Sequence, residues 1–152
     1  MMDDVSQNPR DYRHVIYENV RYDDLDTYNH VNNKVFLSYI EDARVNYFRS
    51  VADISHLRAP VEGVVIARGE IDYLRSILYG DKVRVYSRCA RIGTKSYEMH
   101  CLVQVERDSL ILTVAIAKAI MVSIDPSTGK SIPHPPNLVE GMKSFESPQR
   151  IL

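Results

Sequence analysis

Hydrophobic and polar positions along the chain change period twice. Residues 14–22 (HVIYENVRY) are rich in β-branched and aromatic side chains and read as a strand. A polar loop follows over 23–33. From 33 to 50 the apolar residues Val35, Phe36, Tyr39, Ile40, Ala43, Tyr47 and Phe48 recur at helical spacing, with no Gly or Pro between them. The spacing predicts one long helix, with Asn32 or Asn33 placed to cap it. Residues 51–62 read as a loop containing Pro60. Beyond it the pattern switches to period two. Strands are predicted over 63–78, 82–91, 95–107 and 110–124, with turns at 79–81, 92–94, 108–109 and 125–129. Gly69 inside the first of these suggests a bulge or a close backbone approach. The last run is almost continuously apolar, as for a central strand covered on both faces. Residues 1–12 read as a flexible arm. Residues 136–152 follow a proline-rich stretch, Pro133, Pro135 and Pro136, and read as a C-terminal tail that wraps or frays.

This order of elements predicts a single α+β domain over 13–135. The helix is apolar over much of its surface, and an antiparallel sheet curled around it would bury that surface. Composition adds bounds. At 152 residues, 45% hydrophobic and 26% charged, the chain has the profile of one soluble globular domain. No apolar run has the length of a membrane span. The first ten residues are acidic and polar and lack the apolar core of a secretory signal, so the cytoplasm is the expected compartment. A net charge of −1 disfavours broad attraction to nucleic acid. The two cysteines, Cys89 and Cys101, sit in apolar alternating stretches and read as buried free thiols.

The chemistry is concentrated in residues 21–44, RYDDLDTYNHVNNKVFLSYIEDAR. Asp23, Asp24 and Asp26, with His30, Asn32 and Asn33, stand just before the helix. Helix N-termini carry unpaired N–H groups and a partial positive charge, a natural place to stabilise an oxyanion. A carboxylate beside them can act as base or nucleophile on a carbonyl held there. One oxyanion donor contributes on the order of 10²–10³ in rate, and general-base assistance roughly 10²–10⁴. The residues alone leave a plainer reading open: a solvated acidic loop that favours the helix dipole, with His30 structural. The acids lack the glycine and distal glutamate of a calcium loop. No serine elbow, phosphate loop or dinucleotide fingerprint is present. No metal set and no cofactor is predicted.

The run D-x-D-x-x-x-H-V-N-N, then a helix carrying Glu41-Asp42-Ala43-Arg44, resembles the 4-hydroxybenzoyl-CoA thioesterase-like branch of the hotdog superfamily. Residues 70–75 and Gly80-Asp81 are similar to that family's strand and turn. Residues 91–96 resemble its next turn, and 122–133 its closing strand. The resemblance covers about 14–135. It implies a hotdog fold and hydrolysis of acyl-CoA or acyl-carrier-protein (acyl-ACP) thioesters. By position it implies Asp26 as nucleophile or general base and the backbone N–H near Asn33 as the oxyanion donor. It also implies a homodimer or homotetramer with sites between protomers. Arg91 and Lys95 become candidates for CoA phosphates. Arg68, Glu70 and Asp72 stand at alternating positions of one strand face and become candidates for lining a neighbouring protomer's site.

Two departures from the family pattern matter. Asn29 stands where many relatives have Gly; Asn tolerates a left-handed backbone better than most residues. A polar residue there also resembles the plant acyl-carrier-protein thioesterases, which use an Asn and a His, so His30 and Asn32 join Asp26 as catalytic candidates. Ser76 replaces a usual Pro, and a local strand change is expected. Glu41 and Arg44, three apart on the helix, are expected to pair. The expectation is a thioester hydrolase; a non-catalytic acyl-CoA-binding module and a hotdog dehydratase remain the alternatives.

Overall fold

A computed structural model describes residues 2–51 and 63–146. The loop expected at 51–62 falls almost wholly outside the described residues. Strand β1 (His14–Asn19) leads through a short 3-10 turn (Tyr22–Asp24) and a loop into helix α1 (Asn33–Val51). Strands β2 (Val64–Tyr73), β3 (Lys82–Ile92), β4 (Ser96–Arg107) and β5 (Leu110–Ser123) follow, then a second helix, α2 (Pro136–Phe145). The strands form one sheet in the order β1-β3-β4-β5-β2, and each pair is antiparallel. This is the α+β hotdog arrangement expected from the sequence.

Helix α1 lies against one face of the sheet. Phe36, Tyr39, Ile40 and Ala43 pack with Val83, Val85, Cys101, Val103 and Ala115. One turn further on, Tyr47 and Phe48 pack with Cys89, Tyr97, Met99 and Met121. Both cysteines are buried free thiols; burial pushes the Cys89 thiol up to about 12, so it stays protonated. Tight hairpins join β3, β4 and β5. At 108–109 both Asp108 and Ser109 have positive φ (49° and 64°), as a two-residue turn matched to strand twist requires. Gly93 opens the other turn, where a Cβ would meet the Ser96 carbonyl oxygen at 3.0 Å.

Three expectations change. First, β2 stops at Tyr73, not at residue 78. β2 and β3 lie in separate parts of the sheet, so residues 74–81 must cross beneath the start of α1. The Leu74 and Arg75 N–H groups both turn onto the Val114 carbonyl, at 2.8 and 3.1 Å. The bulge of β2 lies at Ala67, between Ile66 and Arg68, not at Gly69.

Second, the residues read as a flexible arm cover the outer face of the sheet. Val5 and Tyr12 are buried against Leu102 and Ile116. The Tyr12 hydroxyl donates to the Ser6 carbonyl at 2.7 Å, and Arg88 lies over the Tyr12 ring. Lys118 donates to Asp4 at 3.0 Å, and His100 contacts Glu98 at 2.6 Å. Burial lowers the His100 pKa against the pull of Glu98. Two buried apolar anchors in an otherwise polar segment suffice to fix it.

Third, the stretch read as a tail contains α2. Its prolines start the helix: Pro136 sits at the first helical position, where no N–H is needed. Leu138 and Met142 join the core beneath Tyr47 and Phe48. Buried Glu146 accepts from the Tyr47 hydroxyl at 2.9 Å and the Cys89 N–H at 3.1 Å.

If the N-terminal segment is structural, Tyr12→Ala removes a buried aromatic and costs about 3 kcal/mol. Chemical denaturation should show a lower midpoint with an unchanged slope; a midpoint equal to the parent's would mean the segment is dispensable.

Candidate active site

The crossover at 74–81 is the floor on which the acidic loop is built. Val31 N–H donates to the Ile77 carbonyl at 2.8 Å, and His30 bridges to Leu78. Asp81 pins the crossover from the other side. It accepts the Leu78 N–H at 2.8 Å and two bonds from Arg107, at 2.9 and 2.6 Å, while Arg107 also donates to the Ser76 carbonyl at 3.0 Å. A two-point guanidinium–carboxylate pair is among the stronger and more directional of polar contacts.

The three acids of the loop have separate fates. Asp23 is exposed. Asp24 is buried, with its carboxylate accepting the Arg21 N–H and the Tyr39 hydroxyl, both at 2.9 Å. Its carbonyl accepts the Asn32 N–H at 2.8 Å. Burial alone would raise the Asp24 carboxyl, but these hydrogen bonds and the Arg21 charge outweigh it and hold the group below its ordinary range. Asp24 is therefore the buried anchor that ties the loop to α1.

Asp26 is half-buried. Its Oδ1 accepts the Tyr28 N–H at 2.8 Å and the His30 N–H at 3.2 Å. Its own N–H donates to the His30 carbonyl at 2.8 Å, and its carbonyl accepts the Asn29 N–H at 3.1 Å. The turn closes because Asn29 adopts φ 60°, the left-handed conformation that its side chain was expected to tolerate. Among the described residues Asp26 Oδ2 accepts no hydrogen bond.

Asn32 caps α1: its Oδ1 accepts the Lys34 N–H at 3.1 Å and its carbonyl the Val35 N–H at 2.8 Å. The Asn33 N–H, first of the helix, has no acceptor among the described residues. Asp26, His30, Asn33, Phe36, Tyr73 and Ser76 line one cavity of about 270 Å³. Across it His30 Nδ1 and Ser76 Oγ lie 3.3 Å apart, and the Tyr73 hydroxyl donates to the Asn33 carbonyl at 3.4 Å.

The candidate phosphate and substrate residues are not brought to this cavity within one protomer. Arg68 lies on the outer face of β2, its Nε 3.0 Å from Glu70 and its side chain 71% exposed. The period-two alternation that grouped Arg68, Glu70 and Asp72 is right, but it turns them away from the helix side. Arg91 is near the far end of β3, about 30 Å along the strand from Lys82 at 3.3 Å per residue. Lys95 is in the turn beyond. Glu41 and Arg44 do pair, at 4.0 Å. The sequence reading missed Asp24, whose partner Tyr39 lies on the helix, and Tyr73. The Asp81–Arg107 clamp was signalled only by the Gly80-Asp81 turn.

A curled antiparallel sheet around one helix, with an acidic loop feeding that helix's N-terminus, defines a hotdog-fold domain with an acid-bearing pocket. The chain belongs to the thioesterase-like superfamily, whose family model matches residues 20–142. It is 33% identical to a thioesterase from Thermus thermophilus, solved in complex with coenzyme A and zinc; the TM-score is 0.75, covering 89% of this chain and 95% of that one. It is 27% identical over 108 residues to the long-chain acyl-CoA thioesterase FadM of Escherichia coli strain K12, covering 71% of this chain and 80% of FadM. The 4-hydroxybenzoyl-CoA thioesterase of Pseudomonas sp. strain CBS-3 shares the fold, with a TM-score of 0.74 at 16% identity over 84% of this chain and 96% of that one.

Asp24 makes a pH prediction. Its folded pKa is depressed, so its stabilisation is present above the ordinary value of 3.8 and is lost as pH falls through the lower folded value. Asp24→Asn should cost about 1–3 kcal/mol at neutral pH, and the gap from the parent should narrow below pH 3.8. Denaturation at pH 7 and pH 3 measures both; a gap that does not narrow in acid would contradict the assignment.

Proposed function

We propose that this chain hydrolyses an acyl thioester, of CoA or of an acyl carrier protein, to the free acid and a thiol. One observation carries the reading: a carboxylate with an unengaged oxygen, Asp26 Oδ2, and an unengaged helix-start amide, Asn33 N–H, belong to residues that line the same cavity. A thioester carbonyl seated on that amide would have its oxygen polarised by the helix N-terminus. Asp26 would then take a proton from water as the water oxygen attacks the carbonyl carbon, or attack that carbon itself to give an anhydride that water opens. In either route the C–S bond breaks and the sulfur leaves as thiolate. Two backbone donors fix Asp26 Oδ1, which orients the other oxygen without consuming it.

His30 is a second participant on this reading, because its ring reaches Ser76 across the cavity. Asn32 acts at one remove: as the cap of α1 it sets where the Asn33 amide stands. The reading also assigns a homodimer through β2. That strand is paired on one side only, and Val65, Ile66 and Tyr73 on it are exposed. Long unpaired apolar edges are otherwise a hazard that folded proteins cover. A second copy would also bring the partner's outer-face and turn cations, Arg68, Arg91 and Lys95, into play for CoA phosphates. No helix among the described residues is long and apolar enough to cross a membrane.

Purified protein assayed against acyl-CoA and acyl-carrier-protein substrates with a thiol reagent should release thiol, and Asp26→Ala should lower kcat roughly 10²–10⁴-fold. An Asp26→Ala protein as fast as the parent would overturn the mechanism. Light scattering should give the mass of a dimer or tetramer, and Val65→Lys, a charge on the edge strand, should shift it toward monomer.

A further inference from the structure

The crossover and the acidic loop meet as two short extended stretches. His30 bridges to Leu78, and the Val31 N–H donates to the Ile77 carbonyl at 2.8 Å. Ser76 and His30, one on each stretch, both line the cavity at Asp26. Ser76 Oγ and His30 Nδ1 face each other at 3.3 Å. Among the described residues neither side chain makes another hydrogen bond. Both are exposed, so an incoming carbonyl can reach them.

The main chain holds both residues in place. The Ser76 carbonyl accepts from Arg107 at 3.0 Å, and Arg107 is itself fixed by two bonds to Asp81. On the loop, the His30 N–H donates to Asp26 Oδ1 at 3.2 Å, and the His30 carbonyl accepts the Asp26 N–H at 2.8 Å. Hydroxyl and imidazole are thus set in reach of each other before any ligand arrives. A serine hydroxyl beside an imidazole nitrogen is an activated nucleophile: the nitrogen takes the proton as the oxygen attacks a carbonyl. Such bonds are commonly long until substrate is bound. The Asn33 N–H, unengaged and belonging to a residue of the same cavity, supplies a donor for the oxygen of that carbonyl. A proline at position 76 would carry no hydroxyl, so the pair depends on the residue by which this chain departs from the family pattern.

We propose that Ser76 is the acyl-accepting nucleophile of this site, with His30 as its base. The inference rests on the thioesterase reading above and specifies its chemical route. Ser76 Oγ bonds to the carbonyl carbon while its proton passes to His30 Nδ1, and the charge that gathers on the carbonyl oxygen is met by the Asn33 N–H. As the carbonyl re-forms, the C–S bond breaks. The thiolate leaves and takes the proton back from His30. The acyl group is now an ester on Ser76. Water attacks that ester and gives a proton to Asp26 Oδ2. The bond from the acyl carbon to Oγ then breaks, the acid departs, and the Ser76 oxygen recovers the proton from Asp26. On this route Asp26 is the base of the second half and never a nucleophile. An ester on Ser76 is also open to alcohols, so the site transfers acyl groups to small alcohols as well as to water.

The test looks for the ester. Asp26→Asn keeps the shape of the carboxylate but removes the second base, so acylated Ser76 should accumulate. This variant is mixed with an acyl-CoA, quenched in acid and mapped by peptide mass. The acyl group is expected on the peptide that carries Ser76 and is expected to vanish when Ser76→Ala is added. Ser76→Ala alone should lower kcat about 100-fold or more. With methanol present, the parent should make methyl ester and free acid in one fixed proportion from acyl-CoA and from acyl-pantetheine, since both pass through the same ester. A proportion that changes with the leaving thiol, or an acyl group found on Asp26 of the parent, overturns the proposal. A Ser76→Ala protein that releases thiol as fast as the parent also overturns it and leaves the hydrolase reading standing. If the parent releases thiol from no acyl-CoA or acyl-carrier-protein substrate, p-nitrophenyl acetate reads the nucleophile directly. An acetyl group on Ser76 of the parent, lost in His30→Ala, then sinks the hydrolase reading and keeps the nucleophile. An unlabelled Ser76 removes the nucleophile as well.

Discussion

The burial of α1 is the constraint on which the rest depends. Its buried residues run from Phe36 to Val51, nearly the full length of the helix. A flat sheet would cover one stripe and leave the flanks wet; the natural twist of antiparallel strands lets a sheet curl around the helix. Curling sends the two edge strands, β1 and β2, to opposite sides of α1. The chain must then get from β2 to β3 past the helix, and it does so beneath the helix N-terminus. That places residues 74–81 where the acidic loop needs support. The Asp81–Arg107 pair and the Val31–Ile77 hydrogen bond fasten the two together. The pocket at Asp26 is thus a by-product of how the helix is covered: loop on one side, crossover below, helix start at the back.

The electrostatics of the loop divide labour between neighbouring acids. Asp24 is spent on structure. It answers the orphan groups of Arg21 and the Tyr39 hydroxyl and, through its carbonyl, positions Asn32. Its charge is met locally by the Arg21 N–H and guanidinium and the Tyr39 hydroxyl. Asp26 gets only two backbone donors on one oxygen. On the proposed reading, fixing one oxygen orients the carboxylate and leaves the other to meet water or substrate.

Periodicity made most of this architecture legible. The helix expected over 33–50 is observed at Asn33–Val51, and the three C-terminal strands fall within a residue or two of expectation. The errors share a cause: local pattern does not report what a segment packs against. Residues 74–78 (LRSIL) resemble a strand, yet the chain leaves β5 after Tyr73, although β5 continues to Leu110, and Leu74 and Arg75 both turn onto the Val114 carbonyl to enter the crossover. Val5 and Tyr12 are isolated in a polar segment, yet both are buried. Pro135 and Pro136 read as breakers when Pro136 is a helix start. In the site, the Asp26 turn was legible because its chemistry is local, down to the left-handed Asn29. Asp24 was not, because Tyr39 lies 15 residues away. Arg91 and Lys95 came from resemblance and Arg68 from alternation along its strand, and a single protomer gives none of them a place at the cavity.

The edge strand β2 joins the proposed parts into one problem. It supplies Tyr73 to the cavity at Asp26, Gly69 and Ile71 to a second cavity lined also by Leu37 and Ile40 of α1, and an unpaired rim to solvent. Most of its residues are poorly buried, so little within one protomer holds its inner face in register. If a second copy pairs with that rim, association fixes the bulge at Ala67 and with it the direction in which Gly69 and Ile66 point. On the proposed reading, a substrate seated against Tyr73 orders the same strand from the other side. Two events that stabilise one conformation of a shared element favour each other by linkage. On the proposed reading, the poor burial of β2 within one protomer is therefore tolerated because the strand has two other sources of order, the neighbouring copy and the substrate itself.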